Sequence, residues 1–477
     1  MEEKKTEGQQ LFEKLSLNYK NAWEKSTDEY IKKAFDFCEN YKAFLDSAKT
    51  EREFAREVEK EAVKKGFICL DDIISSNKKL LPGMKVYRIV RDKAALLAVI
   101  GKRPMVEGVN IVGAHIDAPR IDLKQNPLYE DTGLAMFKTH YYGGIKKYQW
   151  VTIPLALHGV IVNSSGERIE VKIGEDESDP VFTITDLLPH LAADQMQKKM
   201  SEGITGEGLN LLIGSIPYKD ENVKEKVKLN ILKLLHDKYG ITEEDFVSAE
   251  LEIVPAFKAR DIGIDRSMVG AYGQDDRVCA YGAFKAILDI SDVEKTAVCI
   301  LSDKEEIGSM GNTGAQSSMF EDFMASLCAY STENYNELVL RQCFNNSRML
   351  SADVSAGVDP NYESVYEKRN SSYLGKGIVL TKYTGSRGKS GSSDASAEYV
   401  AYVRNLFNKN NIIWQTGELG KVDQGGGGTI AQYIANLGVD VIDSGVAVLS
   451  MHSPYEITSK IDVYVNYEAN KVFYQAD

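Results

Sequence analysis

Apolar residues Tyr30, Ile31, Ala34, Phe35, Cys38, Tyr41, Phe44 and Leu45 recur every three or four positions, one stripe of an amphipathic helix. A second helical stretch begins at Glu51 and stops at Gly66, a residue suited to the left-handed turn after a helix. The period then changes. Met84 to Val90 and Ala94 to Ile100 read as two strands of a hairpin turning at Arg91-Asp92-Lys93. Val109 to Gly113 is a short apolar strand that runs directly into Ala114-His115-Ile116-Asp117-Ala118-Pro119-Arg120.

From Ile121 to about Val247 the texture differs. Strand-like runs (Val151 to Val162, Arg168 to Ile173) mix with glycine- and charge-rich turns, and Asn222 to Lys238 reads as a charged amphipathic helix. Beyond it, strands and helices alternate again through Thr296–Leu301, Ala395–Phe407, Thr429–Leu437, Val439–Ile442 and Val446–Ser450. Such alternation predicts an α/β sheet with helices on its faces. The expectation is one α/β domain, residues 1–120 and 248–477, interrupted by a more β-rich inserted domain, residues 121–247.

Composition narrows the function classes. The 477 residues carry 57 Lys+Arg against 70 Asp+Glu, a net charge of −13. With 43% hydrophobic and 27% charged residues this is a globular chain, and its acidity argues against nucleic acid as the main partner. The longest aliphatic run, Ala94 to Ile100, is far short of the ~20 residues of a membrane helix. The N-terminus Met1-Glu2-Glu3-Lys4-Lys5-Thr6-Glu7 shows no apolar secretory core. Six scattered cysteines form no C-x-x-C pair, which predicts reduced thiols and a cytoplasmic setting.

Candidate chemistry concentrates at strand ends. His115, after an apolar strand, is followed by Asp117; in H-x-D the carboxylate can fix the tautomer of a ligating imidazole, or the pair can be an ordinary surface pair. Asp275-Asp276, before the helical run Val278–Ile290, reads either as a cap or as ligands. Glu305-Glu306 follows the strand Thr296–Leu301: a ligand beside a proton acceptor, or a solvated charge run. Asp353 interrupts an apolar strand, where an unpaired charge is costly, and His452 ends another. Together they form an N/O donor set that suits zinc or a similar divalent ion, and five ligands suit two ions sharing a carboxylate.

The stretches Gly113-Ala114-His115-Ile116-Asp117-Ala118-Pro119-Arg120, Gly273-Gln274-Asp275-Asp276-Arg277, Asp303-Lys304-Glu305-Glu306-Ile307-Gly308-Ser309, Ser351-Ala352-Asp353 and Ala447-Val448-Leu449-Ser450-Met451-His452-Ser453 resemble, in order, the aspartyl aminopeptidase family that includes vacuolar aminopeptidase I. The resemblance spans His115 to His452. It implies a zinc-exopeptidase-like sheet with flanking helices and an inserted β-rich dimerisation domain. It implies a di-zinc enzyme, with cobalt or manganese as substitutes, that removes N-terminal residues, acidic ones by the family name, from peptides. Asp275 would bridge the ions, His115 and Asp353 complete one, and Glu306 and His452 the other. Glu305 would be the general base for a water shared by the metals, and Asp117 the support of His115.

The resemblance further implies self-association into dimers and a tetrahedral dodecamer. Two departures stand out. Family members often carry Asp-Asn where this chain has Asp275-Asp276. Relatives also carry an I-P-H-L-A-I-H stretch whose histidine reaches a neighbouring active site; here Ile153-Pro154-Leu155-Ala156-Leu157-His158 is shorter, leaving His158 as the candidate for that role or as a core histidine. Lys382 resembles the family's substrate-contacting lysine, or is a solvated surface lysine. The loop Gly425 to Gly428, with Gly427 and Gly428 as candidate substrate contacts, can offer backbone N–H groups to a substrate anion or can equally be a mobile turn. The competing readings are a broad or glutamyl-type di-metal aminopeptidase, and a catalytically silent assembly protein on the same fold, which predicts broken metal motifs.

Overall fold

The computed structural model describes residues 5–477; the first four residues of the charged N-terminus lie outside the described residues. Nine strands form the central sheet in the order Ile68–Cys69, Lys85–Val90, Ala94–Val99, Ala297–Ser302, Asn110–His115, Arg348–Ser351, Asp440–Gly445, Ile378–Thr381 and Trp414–Thr416. The strands ending at Ser302, His115, Ser351 and Gly445 are mutually parallel neighbours. Their side chains alternate between two apolar layers. Leu97, Val99, Val112, Ala114, Cys299 and Leu301 face one; Leu96, Ala98, Ile111, Val298 and Ile300 face the other. Burial on both faces is why Ala94 to Ile100 carries no polar residue.

Helices Asp28–Ser47, Glu51–Lys64, Gln274–Leu288, Ala397–Lys409 and Lys460–Tyr474 cover the first layer, and Met319–Ser331, Glu337–Asn345 and Ala431–Ala435 the second. The helix from Glu51 opens with a Thr50/Glu53 capping box and the chain turns at Gly66, φ +83°. The hairpin at Arg91-Asp92-Lys93 forms between Lys85–Val90 and Ala94–Val99.

The strands between Arg120 and Pro255 build a separate, wholly antiparallel sheet: Arg168–Ile173, Leu155–Val162, Ala249–Pro255, Arg120–Asp131, Leu134–Tyr142, Leu211–Gly214 and Thr183–Ile184. It has its own apolar core around Phe137, Trp150 and Leu251. Two expected elements are shorter than their sequence pattern. The strand expected from Val151 begins only at Leu155, because Thr152 has φ +61° and Pro154 lacks an N–H for pairing. The helix expected from Asn222 begins at Lys226, because Asp220 Oδ1 accepts the Asn222 N–H and holds a turn there. A third sheet, Arg260–Ile262, Met268–Ala271, Glu456–Ser459, Ala447–Leu449 and Ser355–Ala356, stands beside the central one.

Candidate metal centre

The centre forms where the parallel strands end, the usual place for chemistry in an open α/β sheet. Ser302 is the register partner of His115, so the chain leaving one strand toward Glu305-Glu306 meets the chain leaving the other toward Asp117. Asp353 follows the strand Arg348–Ser351, and His452 follows Ala447–Leu449 of the third sheet. Asp275-Asp276 opens the helix Gln274–Leu288 after Gly273. Gly273 has φ +71°, and a Cβ there would lie 1.8 Å from Arg277 Nη1, so glycine is required.

Both histidines have their outer nitrogen fixed and their inner nitrogen aimed at carboxylates. His115 Nδ1 donates to the Asp117 carbonyl oxygen at 3.0 Å, and its Nε2 lies 3.2 Å from Asp275 Oδ1 and 4.0 Å from Asp353 Oδ1. His452 Nδ1 donates to the Gly144 carbonyl oxygen at 2.8 Å, and its Nε2 lies 3.1 Å from Asp275 Oδ2 and 3.5 Å from Glu306 Oε1. Asp275 therefore faces both histidines, one with each oxygen. The buried Asp117 carboxylate accepts from the Glu305 N–H at 3.1 Å, the Glu306 N–H at 3.2 Å and the Tyr142 hydroxyl at 2.8 Å.

Three groups of donors lie close enough to share an ion: His115, Asp276 and Asp353; Asp275, Glu306 and His452; and His115, Glu305 and Glu306. Without a cation this set is electrostatically expensive. Burial, then repulsion from Asp275, drives the Glu306 carboxyl well above its usual range, and burial and Asp276 do the same to Asp353. Burial raises Glu305 to about 7. Glu306 Oε1 and both carboxylate oxygens of Asp276 are buried without a hydrogen-bond partner. His452 is opposed by burial, yet Asp275 and Glu306 lift it to about 10. Unpartnered buried carboxylate oxygens around two imidazoles, whose Nε2 atoms become donors once deprotonated, are the chemistry of a divalent-cation site, so the residues present fit zinc.

A cavity of about 570 Å³ opens over these groups, lined further by Thr381, Tyr383, Glu418, Leu419, Gly427 and Gly428. Its size suits a short stretch of peptide. The two glycines thus line the cavity over the metal centre.

Two candidate residues are not part of the cavity lining. Lys382 is not among the residues lining the cavity, to which its neighbours Thr381 and Tyr383 contribute, and its exposed Nζ pairs with Asp394 Oδ1 at 2.9 Å. His158 lies in the strand Leu155–Val162, 1% exposed, with Nδ1 3.0 Å from Glu53 and Nε2 3.1 Å from Glu175. Both nitrogens have carboxylate partners within the chain, the arrangement of the core-histidine alternative.

Other contributors had little sequence signal. Asp276 was visible only as the second acid of a pair. Glu456 accepts the His452 N–H at 2.7 Å and the Asp275 N–H at 3.0 Å, holding His452 at φ +63°. Its position four residues after His452 was the available clue. Tyr142 and Gly144 sit more than 300 residues from His452 and carry no local motif.

A family model described as "Aminopeptidase I zinc metalloprotease (M18)" matches residues 44–474. The chain belongs to this M18 family. It is 58% identical over 453 residues to a probable M18 family aminopeptidase 1 of Clostridium acetobutylicum, covering 94% of this chain and 97% of that one. The crystal structure of an M18 aminopeptidase from Thermotoga maritima matches with a TM-score of 0.92 at 46% identity, covering 96% of this chain and all of that one. Aminopeptidase I from C. acetobutylicum matches with a TM-score of 0.91 at 53% identity, covering 97% and 100%. The S. cerevisiae mApe1 dodecamer shares the fold at 22% identity and a TM-score of 0.73, covering 92% and 96%. As an M18 member this chain is a zinc metallo-aminopeptidase on a mixed α/β fold. Among the described residues no helix is long and apolar enough to cross a membrane.

Proposed function

We propose that this M18 aminopeptidase cleaves the N-terminal residue from short peptides at a centre of two zinc ions. His115 and Asp353 would hold one, Glu306 and His452 the other, with Asp275 between them. The observation carrying this reading is Asp275, whose two oxygens each face a different histidine at 3.2 and 3.1 Å. Bound zinc supplies Lewis acidity, polarising the scissile carbonyl and acidifying the attacking water. Glu305 would take the attacking water's proton and pass it to the leaving amine. Asp117 holds the Glu305 and Glu306 backbone in place through their N–H groups.

The pocket supports broad specificity over a commitment to acidic residues. Lys382 is spent on Asp394, and the lining mixes Arg387, Lys389 and Lys421 with Glu418, Leu419 and Val422. A panel of aminoacyl substrates tests this: leucyl and glutamyl turnover within about tenfold is expected, whereas strong aspartyl preference would restore the acidic reading. Exposed apolar residues of the antiparallel-sheet segment, among them Leu187, Leu191, Met196 and Ile216, support contact with a second copy and growth to a dodecamer. A monomer on sizing chromatography would refute the assembly. Setting in the cytoplasm agrees with six free cysteines.

Glu305→Gln tests the mechanism. Two zinc ions per subunit are expected to remain while kcat falls ~10²–10⁴-fold. Unchanged turnover would remove Glu305 as the base.

A further inference from the structure

The antiparallel sheet reaches the metal centre at one place. Its strand Leu134–Tyr142 ends in Tyr142-Gly143-Gly144, and these three residues touch both halves of the site. The Tyr142 hydroxyl donates to Asp117 Oδ2 at 2.8 Å, and Asp117 in turn lies against His115 Nδ1 at 3.3 Å and accepts the Glu305 and Glu306 N–H groups. Two residues on, the Gly144 carbonyl accepts from His452 Nδ1 at 2.8 Å, which leaves Nε2 as the ligating nitrogen. Between them Gly143, at φ +74°, passes so close that a Cβ would lie 3.3 Å from Glu306 Cβ and 3.4 Å from its Oε2. A Cβ on Gly144 would lie 3.3 Å from His452 Nδ1. The turn is therefore backbone packed directly against the ligands.

Tyr142 is itself held from behind. Its register partner across the sheet is Arg120, whose guanidinium stacks 3.9 Å from the centre of the tyrosine ring. Arg120 is anchored to Asp122 at 2.8 Å and lies 3.3 Å from Glu252 and 3.5 Å from Glu51. A stacked cation and a cross-strand neighbour restrict the ring to one position, so its hydroxyl is presented to Asp117 without reorganisation.

We infer that Tyr142-Gly143-Gly144 is a positioning clip through which the antiparallel sheet sets the cation affinity of both halves of the metal centre. The inference rests on the two-ion reading above. Tyr142 acts through Asp117 on His115, and Gly144 acts on His452; neither touches the reacting atoms. Partners that hold a ligating histidine typically contribute 10–100-fold to metal affinity.

The test uses the full-length protein, with zinc alone as the probe and a chromophoric chelator as competitor. Wild type is expected to bind two ions per subunit. Tyr142→Phe, which deletes only the hydroxyl, is expected to weaken one ion about 10–100-fold and shift the visible spectrum of the cobalt-loaded protein. Excess zinc should restore its kcat with KM unchanged. Gly144→Ala should weaken the other ion, and Tyr141→Phe, on the neighbouring exposed residue, should match wild type. Wild-type affinity and an unchanged cobalt spectrum in Tyr142→Phe would overturn the clip while leaving the two-ion reading standing. Equal weakening in Tyr141→Phe would also overturn it, as general loosening of the sheet. Fewer than two ions in wild type would overturn the two-ion reading and the clip together.

Discussion

The adjacent acids Asp275 and Asp276 are predicted to affect the metal-free protein with opposite signs. Asp275 is ionised and satisfied: burial opposes its charge, but hydrogen bonds to His115 and His452 hold its carboxyl well below the usual range. Asp276 is fully buried, driven far upward by burial, and neither of its oxygens has a partner. Asp276→Asn removes an unsatisfied buried acid, a gain of ~1–3 kcal/mol, whereas Asp275→Asn breaks charge-assisted hydrogen bonds worth ~1.5–3 kcal/mol. At ~2.1 cal/mol/K per residue, unfolding 477 residues carries roughly 1 kcal/mol per kelvin, so each kcal/mol moves Tm by about 1 °C. In chelator-treated protein, Asp276→Asn should therefore melt about 1–3 °C above wild type and Asp275→Asn about 1–3 °C below. With zinc the contrast widens. Asp275→Asn loses the carboxylate facing both histidines, and a 100-fold weaker affinity removes about 2.7 kcal/mol of ligand stabilisation. Asp276→Asn should retain both ions and turnover within about tenfold. Scanning fluorimetry with and without zinc, followed by metal analysis, reads both effects. A metal-free Asp276→Asn that melts below wild type, or that loses zinc as fully as Asp275→Asn, would refute the division of labour.

The same charge cluster sets a pH dependence. Glu305 and Glu456 have their carboxyls raised, by burial first, to about 7 and about 8, above the ordinary 4.5. A raised acid contributes stability that is complete below its unfolded pKa and is lost as pH rises through its folded value. Metal-free protein should thus lose stability between about pH 4.5 and 8, and zinc should abolish most of that slope in melts across the range. Arg120→Met removes the cation among Glu51, Asp122 and Glu252, leaving buried acids uncompensated; a loss of ~3–5 kcal/mol in urea unfolding is expected, with part recovered by adding Glu252→Gln. Five of the six cysteines are buried and Cys69 is partly exposed, so a thiol reagent should titrate about one group in the native protein and six in denaturant.

How much of this was legible in the sequence depends on how far each contact reaches. The central strands announced themselves because burial on both faces demands unbroken apolar runs such as Ala94–Ile100, and the helix Asp28–Ser47 because its stripe has a helical period. His115, Asp275, Glu306, Asp353 and His452 stand out as candidates because each polar residue interrupts or ends an apolar segment, and strand ends converge on one edge of a parallel sheet. Lys382 and His158 stay ambiguous in the sequence for one common reason. A motif gives the residue type at a position, but the carboxylates that claim it, Asp394 for the lysine and Glu53 and Glu175 for the histidine, come from elsewhere in the chain.

That same blindness hid the support of the centre. Tyr142, Gly144 and Glu456 carry no chemistry of their own that a pattern would flag; they matter because a hydroxyl, a carbonyl and a carboxylate each satisfy the one atom of a ligand, or of its backbone, that the metal does not use. The consequence is physical. Ligand identity is written locally, at strand ends, whereas ligand geometry is held by residues from two other sheets. An insertion between Arg120 and Pro255 that left every ligand in place but shifted Tyr142 by one residue would flip its side chain to the opposite face of the strand. All five candidate ligands would survive, but Asp117 would lose the Tyr142 hydroxyl. The antiparallel sheet is thus part of the active centre in the energetic sense, whatever else its outer face binds.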